Sequence, residues 1–169
     1  LPVYIEIPRD MVARPCAPVV REAPRAVDAD ALAACVDEIL ARLRAARAPV
    51  LMAGVEVRRF GLEDKVAELS RRLGIPVVTS FMGRGLLADH DAPLMGTYMG
   101  LAGLPEVSAL VEDSDGLFLV GVIISDTNFA VSGKHIDLRH TIQALEARVT
   151  MGYHTYADIP LDALIDGLL

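Results

Sequence analysis

Residues 48–81 read APVLMAGVEVRRFGLEDKVAELSRRLGIPVVTSF, and this stretch decides the fold. Its first eight residues, Ala48 to Val55, form an unbroken apolar run of strand length, the composition of a strand covered on both faces. A charged turn, Glu56 to Phe60, follows. Leu62, Val66, Leu69 and Leu73 then recur at intervals of four, three and four, which predicts an amphipathic helix. Glu63 and Asp64 fall in its first turn, Arg71 and Arg72 in its last, and Gly74 stands just past its end, complementing the helix dipole and supplying a C-cap. Ile75 to Phe81 is apolar again and reads as the next strand.

The same alternation extends in both directions. Upstream, with Asp28 or Asp30 as cap, Leu32, Val36, Ile39 and Leu43 predict a helix ending near Arg47. Downstream, Met82 to Gly103 holds five glycines and room for one short strand around Leu94 and Met95. Pro105 opens a helix to about Glu112, and Gly116 to Ile124 is the most hydrophobic strand in the chain. Ser125 to His140 is polar and turn-like. Thr141 to Leu145 and Arg148 to Met151 read as short strands, and Pro160 to Leu169 as a last helix with Leu161, Leu164, Ile165 and Leu168 on one face. Strands alternating with helices in this way predict a doubly wound, Rossmann-like α/β fold. Its sheet should hold five or six mainly parallel strands, with right-handed crossovers and helices on both faces. At the start of the chain, LPVYIEIP alternates as a strand with Val3, Ile5 and Ile7 on one face. Arg9 to Val27, with three prolines and no hydrophobic period, reads as a linker. The expected organisation is a strand and linker over 1–27, the tail of something upstream, and a domain over 28–169.

Composition bounds the function. The 169 residues are 53% hydrophobic, with a mean hydropathy of +0.39, which excludes intrinsic disorder and implies either a deeply buried sheet or outer faces that neighbours cover. Sixteen Lys and Arg stand against 23 Asp and Glu, a formal charge of −7, and no basic stripe is present to follow a phosphate backbone. Nucleic acid is not an expected partner. The longest apolar-plus-glycine run, Gly116 to Ile124, is less than half of the roughly 20 residues that a membrane-spanning helix needs. Cys16 and Cys35 have no CxxC spacing, and His90, His135, His140 and His154 form no HxxxH or HExxH pair. No structural metal and a reducing, cytoplasmic location are expected.

Few residues carry the spacing of a reactive site. Gly83-Arg84-Gly85-Leu86-Leu87-Ala88 satisfies GxGxxG/A after a strand, the pattern that lets a backbone approach a dinucleotide pyrophosphate at a helix N-terminus. Here it follows the second strand of the run rather than the first, Arg84 fills the turn, and Asp89, His90, Asp91 and Pro93 cut the following helix short, so it reads as a tight turn. Cys16, in the linker, and Cys35, beside an apolar helix stripe, read as inert thiols. Ser125 and Ser132 read as turn formers, and Asp126, Asn128, His135 and Asp137 as a solvated crossover loop. Glu56, Arg58 and Arg59 fall where a sheet of this type has its topological switch point. Two readings stay open there: an ion-pair loop, or a guanidinium pair that holds a small carboxylate or phosphate.

The segments APVLMAGVEVRRFGL, LGIPVVTSFMGRGLL, PLMGTYMGLAGLPEVSALVEDSDGLFLVGVIISDTNFA and YHTYADIPLDALI together resemble the central domain of thiamine diphosphate-dependent 2-oxo acid decarboxylases. GVEVRRFGL and SDTNF are most similar to the indolepyruvate and phenylpyruvate decarboxylase branch. LPVYIEIPRDMV resembles the last strand of the pyrimidine-binding domain that precedes it. The resemblance implies an enzyme whose thiamine diphosphate and Mg²⁺ are held by a pyrimidine-binding and a diphosphate-binding domain. The GDG motif of the latter is absent from this sequence. It therefore implies no catalytic, cofactor-binding or metal-binding residue in this chain. It implies a homo-oligomer, a dimer of dimers when full length, and neither FAD nor NAD in this domain. Substrate activation in some members makes Arg58 and Arg59 the candidates for a regulatory carboxylate contact. Only Glu146 of Ala144-Leu145-Glu146-Ala147 matches the aspartate-rich turn found after the fifth strand in many members. The competing assignments are an acetolactate synthase-like carboligase domain and a self-contained nucleotide-binding domain using Gly83 to Ala88.

Overall fold

A computed structural model describes residues 3–11, 13–15, 17, 18, 26–125 and 136–169. Helix α1 spans Ala29–Ala45. Asp28 is its N-cap, with one carboxylate oxygen accepting the backbone N–H groups of Asp30 and Ala31 at 3.0 and 3.1 Å. Removing that acceptor in Asp28→Ala should cost about 1 kcal/mol, read from urea denaturation midpoints. Strand β1 is Pro49–Ala53. The stretch expected as a charged turn is instead a short helix, α2, Val55–Arg59. Helix α3 covers Glu63–Leu73 and ends at Gly74, whose φ of 65° is the left-handed C-cap conformation that the sequence anticipates.

The remaining elements are β2 Val77–Thr79, β3 Leu94–Thr97, α4 Pro105–Glu112, β4 Gly116–Val120, β5 Ile142–Leu145, β6 Arg148–Met151, β7 His154–Ala157 and α5 Leu161–Leu168. They build one sheet in the order β3-β2-β1-β4-β5-β6-β7. Pairing is parallel from β3 through β5 and antiparallel for β6 and β7. The fold is thus the doubly wound α/β architecture expected, with one strand more than the five or six anticipated. The addition is β7, whose sequence HTYA has no apolar alternation.

Strand alternation sends side chains to two cores. Leu51, Ala53, Val77, Phe118, Val120, Ile142, Ala144, Val149 and Met151 pack with residues of α1, α3 and α5 on one face. Val50, Met52, Val78, Leu117 and Leu119 pack with Val107 and Val111 of α4 and with Tyr98 on the other. The central strands β1 and β4 are therefore apolar throughout because both faces are covered. Toward the antiparallel edge only one face is apolar, and Gln143, Thr150 and Thr155 alternate with its core residues. Residues 3–8 form no ladder, and Val3, Ile5 and Ile7 are exposed at 79%, 74% and 64%. The alternation expected of a strand is present, but a strand needs a neighbour, and the described residues supply none.

Candidate functional site

In an open parallel sheet, ligands bind beyond the carboxyl ends of the strands where the strand order reverses. Here the chain runs from β1 outward to β2 and β3, then returns to place β4 on the other side of β1. The crevice between the tips of β1 and β4 is closed by backbone. Gly54 N–H donates to the Val120 carbonyl at 2.8 Å and Glu56 N–H to the Gly121 carbonyl at 3.2 Å, while on the β2 side Ser80 N–H donates to the Ala53 carbonyl at 2.9 Å. A Cβ on Gly54 would lie 2.1 Å from the Gly121 carbonyl oxygen. The glycine at the tip of β1 serves a close backbone contact within the chain, to Gly121 and Val122.

Gly83 to Ala88 behaves as a turn. Ser80 caps a 3₁₀ turn over Phe81–Gly83, Gly85 and Leu87 have φ of 78° and 64°, and Leu86 and Leu87 are both 1% exposed. A Cβ on Gly83 would meet the Ala53 carbonyl at 2.9 Å. No helix follows the motif, so no helix dipole points at it.

Helix α2 places Glu56, Arg58 and Arg59 over this end of the sheet. Glu56 is 2% exposed. Its Oε1 accepts from Arg59 Nη1 at 3.3 Å, and its Oε2 accepts the backbone N–H of Glu146 at 3.2 Å. Glu146 and Ala147, the two-residue turn between β5 and β6, have φ of 51° and 58°, a conformation that non-glycine residues adopt only when held. Glu56 holds it from inside the fold, a role that its position in a charged turn did not suggest. Arg58 bonds Glu63 through Nε at 3.4 Å and the Gly85 carbonyl through Nη2 at 3.3 Å. It shares a small cleft with Arg84, Val55, Met82, Gly83 and Leu86. The two arginines are thus in ion pairs, yet each keeps 60% of its side chain exposed.

The opposite end of the sheet is polar. Asp115 accepts the N–H groups of Arg47 and Ala48 at 3.1 and 2.8 Å, and these bonds hold its carboxyl below the usual range. Asp137 accepts Arg139 N–H and pairs with His140 at 3.2 Å. A cleft of about 380 Å³ between them is lined by Val111, Glu112, Asp137, His140 and Thr141. Beside β7, Glu38 accepts from Arg42, from Tyr156 Oη at 2.9 Å and from His154 at 3.2 Å. Partial burial opposes its ionisation, but the Arg42 and Tyr156 bonds outweigh it and lower its pKa. The contribution of this carboxylate to stability is present at neutral pH and lost as the pH falls through its depressed folded value.

Among the described residues no three His, Cys, Asp or Glu side chains converge as a metal site requires, and no helix is long and apolar enough to cross a membrane. Cys35 is buried at the α1 core face. Burial and the neighbouring Glu38 charge push its thiol up to about 11. It should resist thiol reagents at neutral pH until the protein unfolds, so labelling by Ellman's reagent should keep pace with global unfolding in urea. Cys16, Asp126, Asn128, Ser132 and His135 lie outside the described residues.

The sheet is thus doubly wound, with its switch-point crevice closed by backbone hydrogen bonds. The model of the thiamine pyrophosphate enzyme central domain matches residues 36–166, and the chain belongs to that family. Among its relatives, it is 64% identical over 168 residues to an indole-3-pyruvate decarboxylase of Azospirillum brasilense, covering 99% of this chain and 31% of that protein. It is 28% identical over 169 residues to a pyruvate decarboxylase of Aspergillus terreus, covering 97% of this chain and 30% of that protein. Pyruvate decarboxylase 1 of Pisum sativum is 28% identical over 157 residues, covering 89% and 26%. The chain spans less than a third of the length of each of these relatives.

Proposed function

We propose that this chain is the central, noncatalytic domain of a thiamine diphosphate- and Mg²⁺-dependent decarboxylase that converts aryl 2-oxo acids, indolepyruvate and phenylpyruvate, to aldehydes and CO₂. The observation that carries the reading is the 64% identity across 99% of the chain to an indole-3-pyruvate decarboxylase. When bound, thiamine diphosphate supplies the carbanion and the electron sink for loss of CO₂. Flanking pyrimidine- and diphosphate-binding domains of the same subunit hold it and Mg²⁺. On this reading residues 1–27 are the last strand of the preceding domain and its linker, the enzyme is a cytoplasmic dimer of dimers, and this domain takes neither FAD nor NAD. The closed Gly54–Gly121 crevice supports that last point.

Assays of the full-length protein against indolepyruvate, phenylpyruvate, pyruvate and benzoylformate test the reading. Turnover of the first two should dominate, and should be lost on removal of thiamine diphosphate and Mg²⁺ and return on their addition. A preference for carboligation of pyruvate would overturn it. Arg58 and Arg59 are assigned to an effector carboxylate, supported by side chains that stay 60% exposed at the switch-point end of the sheet. The double variant Arg58→Ala, Arg59→Ala should turn a sigmoidal substrate dependence hyperbolic. Unchanged sigmoidal kinetics would remove the assignment.

A further inference from the structure

The turn Gly83-Arg84-Gly85-Leu86-Leu87-Ala88 carries one charged side chain that the fold itself does not use, Arg84. Arg84 is exposed. Its guanidinium donates to the Phe81 carbonyl at 3.3 Å and lies 5.1 Å from the centre of the Phe81 ring. Neither contact is with a negative charge, and no carboxylate among the described residues pairs with it. The fold brings this cation to a second one. Ser80 N–H donates to the Ala53 carbonyl, and a Cβ on Gly83 would meet that same carbonyl at 2.9 Å, so the turn is seated tightly on the tip of β1. Helix α2 leaves from the same tip, and Arg58 Nη2 donates to the Gly85 carbonyl at 3.3 Å, next to Arg84 in sequence. Arg58 and Arg84 line one cleft with Val55, Met82, Gly83 and Leu86.

We propose that this cleft is an oxyanion site in which Arg58 and Arg84 hold one carboxylate or phosphate group between them. Neighbours in sequence are not neighbours in charge here. Arg59 is committed to Glu56, a carboxylate only 2% exposed whose other oxygen takes the Glu146 N–H. Beside Arg58 and Arg84 stands one paired carboxylate, Glu63, at 3.4 Å from Arg58 Nε. Two guanidinium groups against one carboxylate leave a positive excess in a chain whose formal charge is −7. Each guanidinium is a planar fork of N–H donors that matches the oxygens of a carboxylate or phosphate. The bonds to Glu63, Gly85 and Phe81 leave most of those donors unused. The cleft holds about 20 Å³, room for an anionic group of a few atoms and not for a nucleotide. The site shares Arg58 with the effector reading but goes beyond it, because it stands on the cleft rather than on activation kinetics and puts Arg84 in place of Arg59.

Arginine footprinting of the full-length holoenzyme tests the proposal, with 1,2-cyclohexanedione as the reagent and mass spectrometry to read each arginine. Arg47, its side chain 94% exposed at the amino end of the sheet, is the internal reference. The probes are inorganic phosphate and phenylacetate, a carboxylate with no 2-oxo group to be turned over. At about ten times the dissociation constant of a bound probe, Arg58 and Arg84 should react about tenfold more slowly than without it, while Arg47 and Arg59 keep their rates. Protection by phosphate alone assigns a phosphoryl ligand and protection by phenylacetate alone a carboxylate; either result upholds the site. Protection by neither overturns it, as does equal protection by sodium chloride at the same ionic strength, which is charge screening. Arg84→Gln should abolish the protection of Arg58, and Arg59→Gln should preserve it. The opposite pair of results would return the anion to Arg58 and Arg59 and remove this site. Arg84 makes only its local Phe81 contacts, so its replacement leaves the fold intact. Kinetics are read separately: protection of Arg58 and Arg84 with an unchanged substrate dependence in Arg84→Gln keeps the site and denies it an effector role.

Discussion

Gly54→Ala is expected to destabilise the chain by on the order of 4 kcal/mol, a large share of the roughly 5–15 kcal/mol that keeps a domain folded. The glycine is not there for its torsions: φ is −109° and ψ is −179°, extended values that any residue adopts. It is there for space. A Cβ would lie 2.1 Å from the Gly121 carbonyl oxygen and 2.4 Å from the Val122 Cα, both backbone atoms that cannot swing aside. Relief requires the tips of β1 and β4 to separate, which costs packing of about 1–3 kcal/mol and breaks the Gly54 to Val120 and Glu56 to Gly121 hydrogen bonds, each worth about 1 kcal/mol. Gly61→Ala is the control. Gly61 has φ of 65° with nothing within 4 Å of an added Cβ, so the change should cost only about 1 kcal/mol through torsion. The two urea denaturation curves separate the cases, and equal midpoints would mean that the crevice at the switch point is open enough for a ligand after all.

Much of this architecture is legible in the sequence, and the reason is periodicity. Leu62, Val66, Leu69 and Leu73 declare α3, and Gly74 declares its end, because one face of a helix must meet the core while its terminus must turn. The unbroken apolar runs of β1 and β4 declare strands covered on both sides, as the two cores show. Short elements are less visible. Helix α2 was hidden because VEVRR is too short to show a period: Val57 is its one fully buried apolar side chain, and the Glu56 N–H bond to the Gly121 carbonyl helps fix its place. Strand β7 was hidden because HTYA buries only part of Tyr156 and is held by its ladder to β6 and by the Tyr156–Glu38 bond. The candidate site was legible by position alone. That Arg58 and Arg59 stand at the switch point follows from strand order, whereas their partners do not. Glu63 is five residues from Arg58 in sequence, but the Gly85 carbonyl is 27 away and reaches it only once β2 lies beside β1.

Glu56→Ala should cost about 3 kcal/mol, the penalty for removing a buried charged partner, and Glu56→Gln about 1 kcal/mol. The difference follows from what each oxygen does. Oε2 accepts the N–H of Glu146, 90 residues away, and Oε1 takes Arg59. Glutamine keeps an acceptor for the turn and gives up only the ion pair with an arginine that is 60% exposed, a contact that solvent already weakens. Alanine leaves the Glu146 N–H without its carboxylate partner. It also releases a turn whose two residues sit at positive φ without being glycine. The loss should therefore be local before it is global, with amide exchange at 145–149 accelerating in Glu56→Ala well before the β1–β4 ladder is affected. Restoring a permissive turn tests the cause. Glu146→Asn with Ala147→Gly fits the torsions of a two-residue hairpin directly, so adding these changes to Glu56→Ala should recover part of the lost stability. No recovery would mean that Glu56 acts through Arg59 alone, and the buried carboxylate would then belong to the arginine pair rather than to the hairpin.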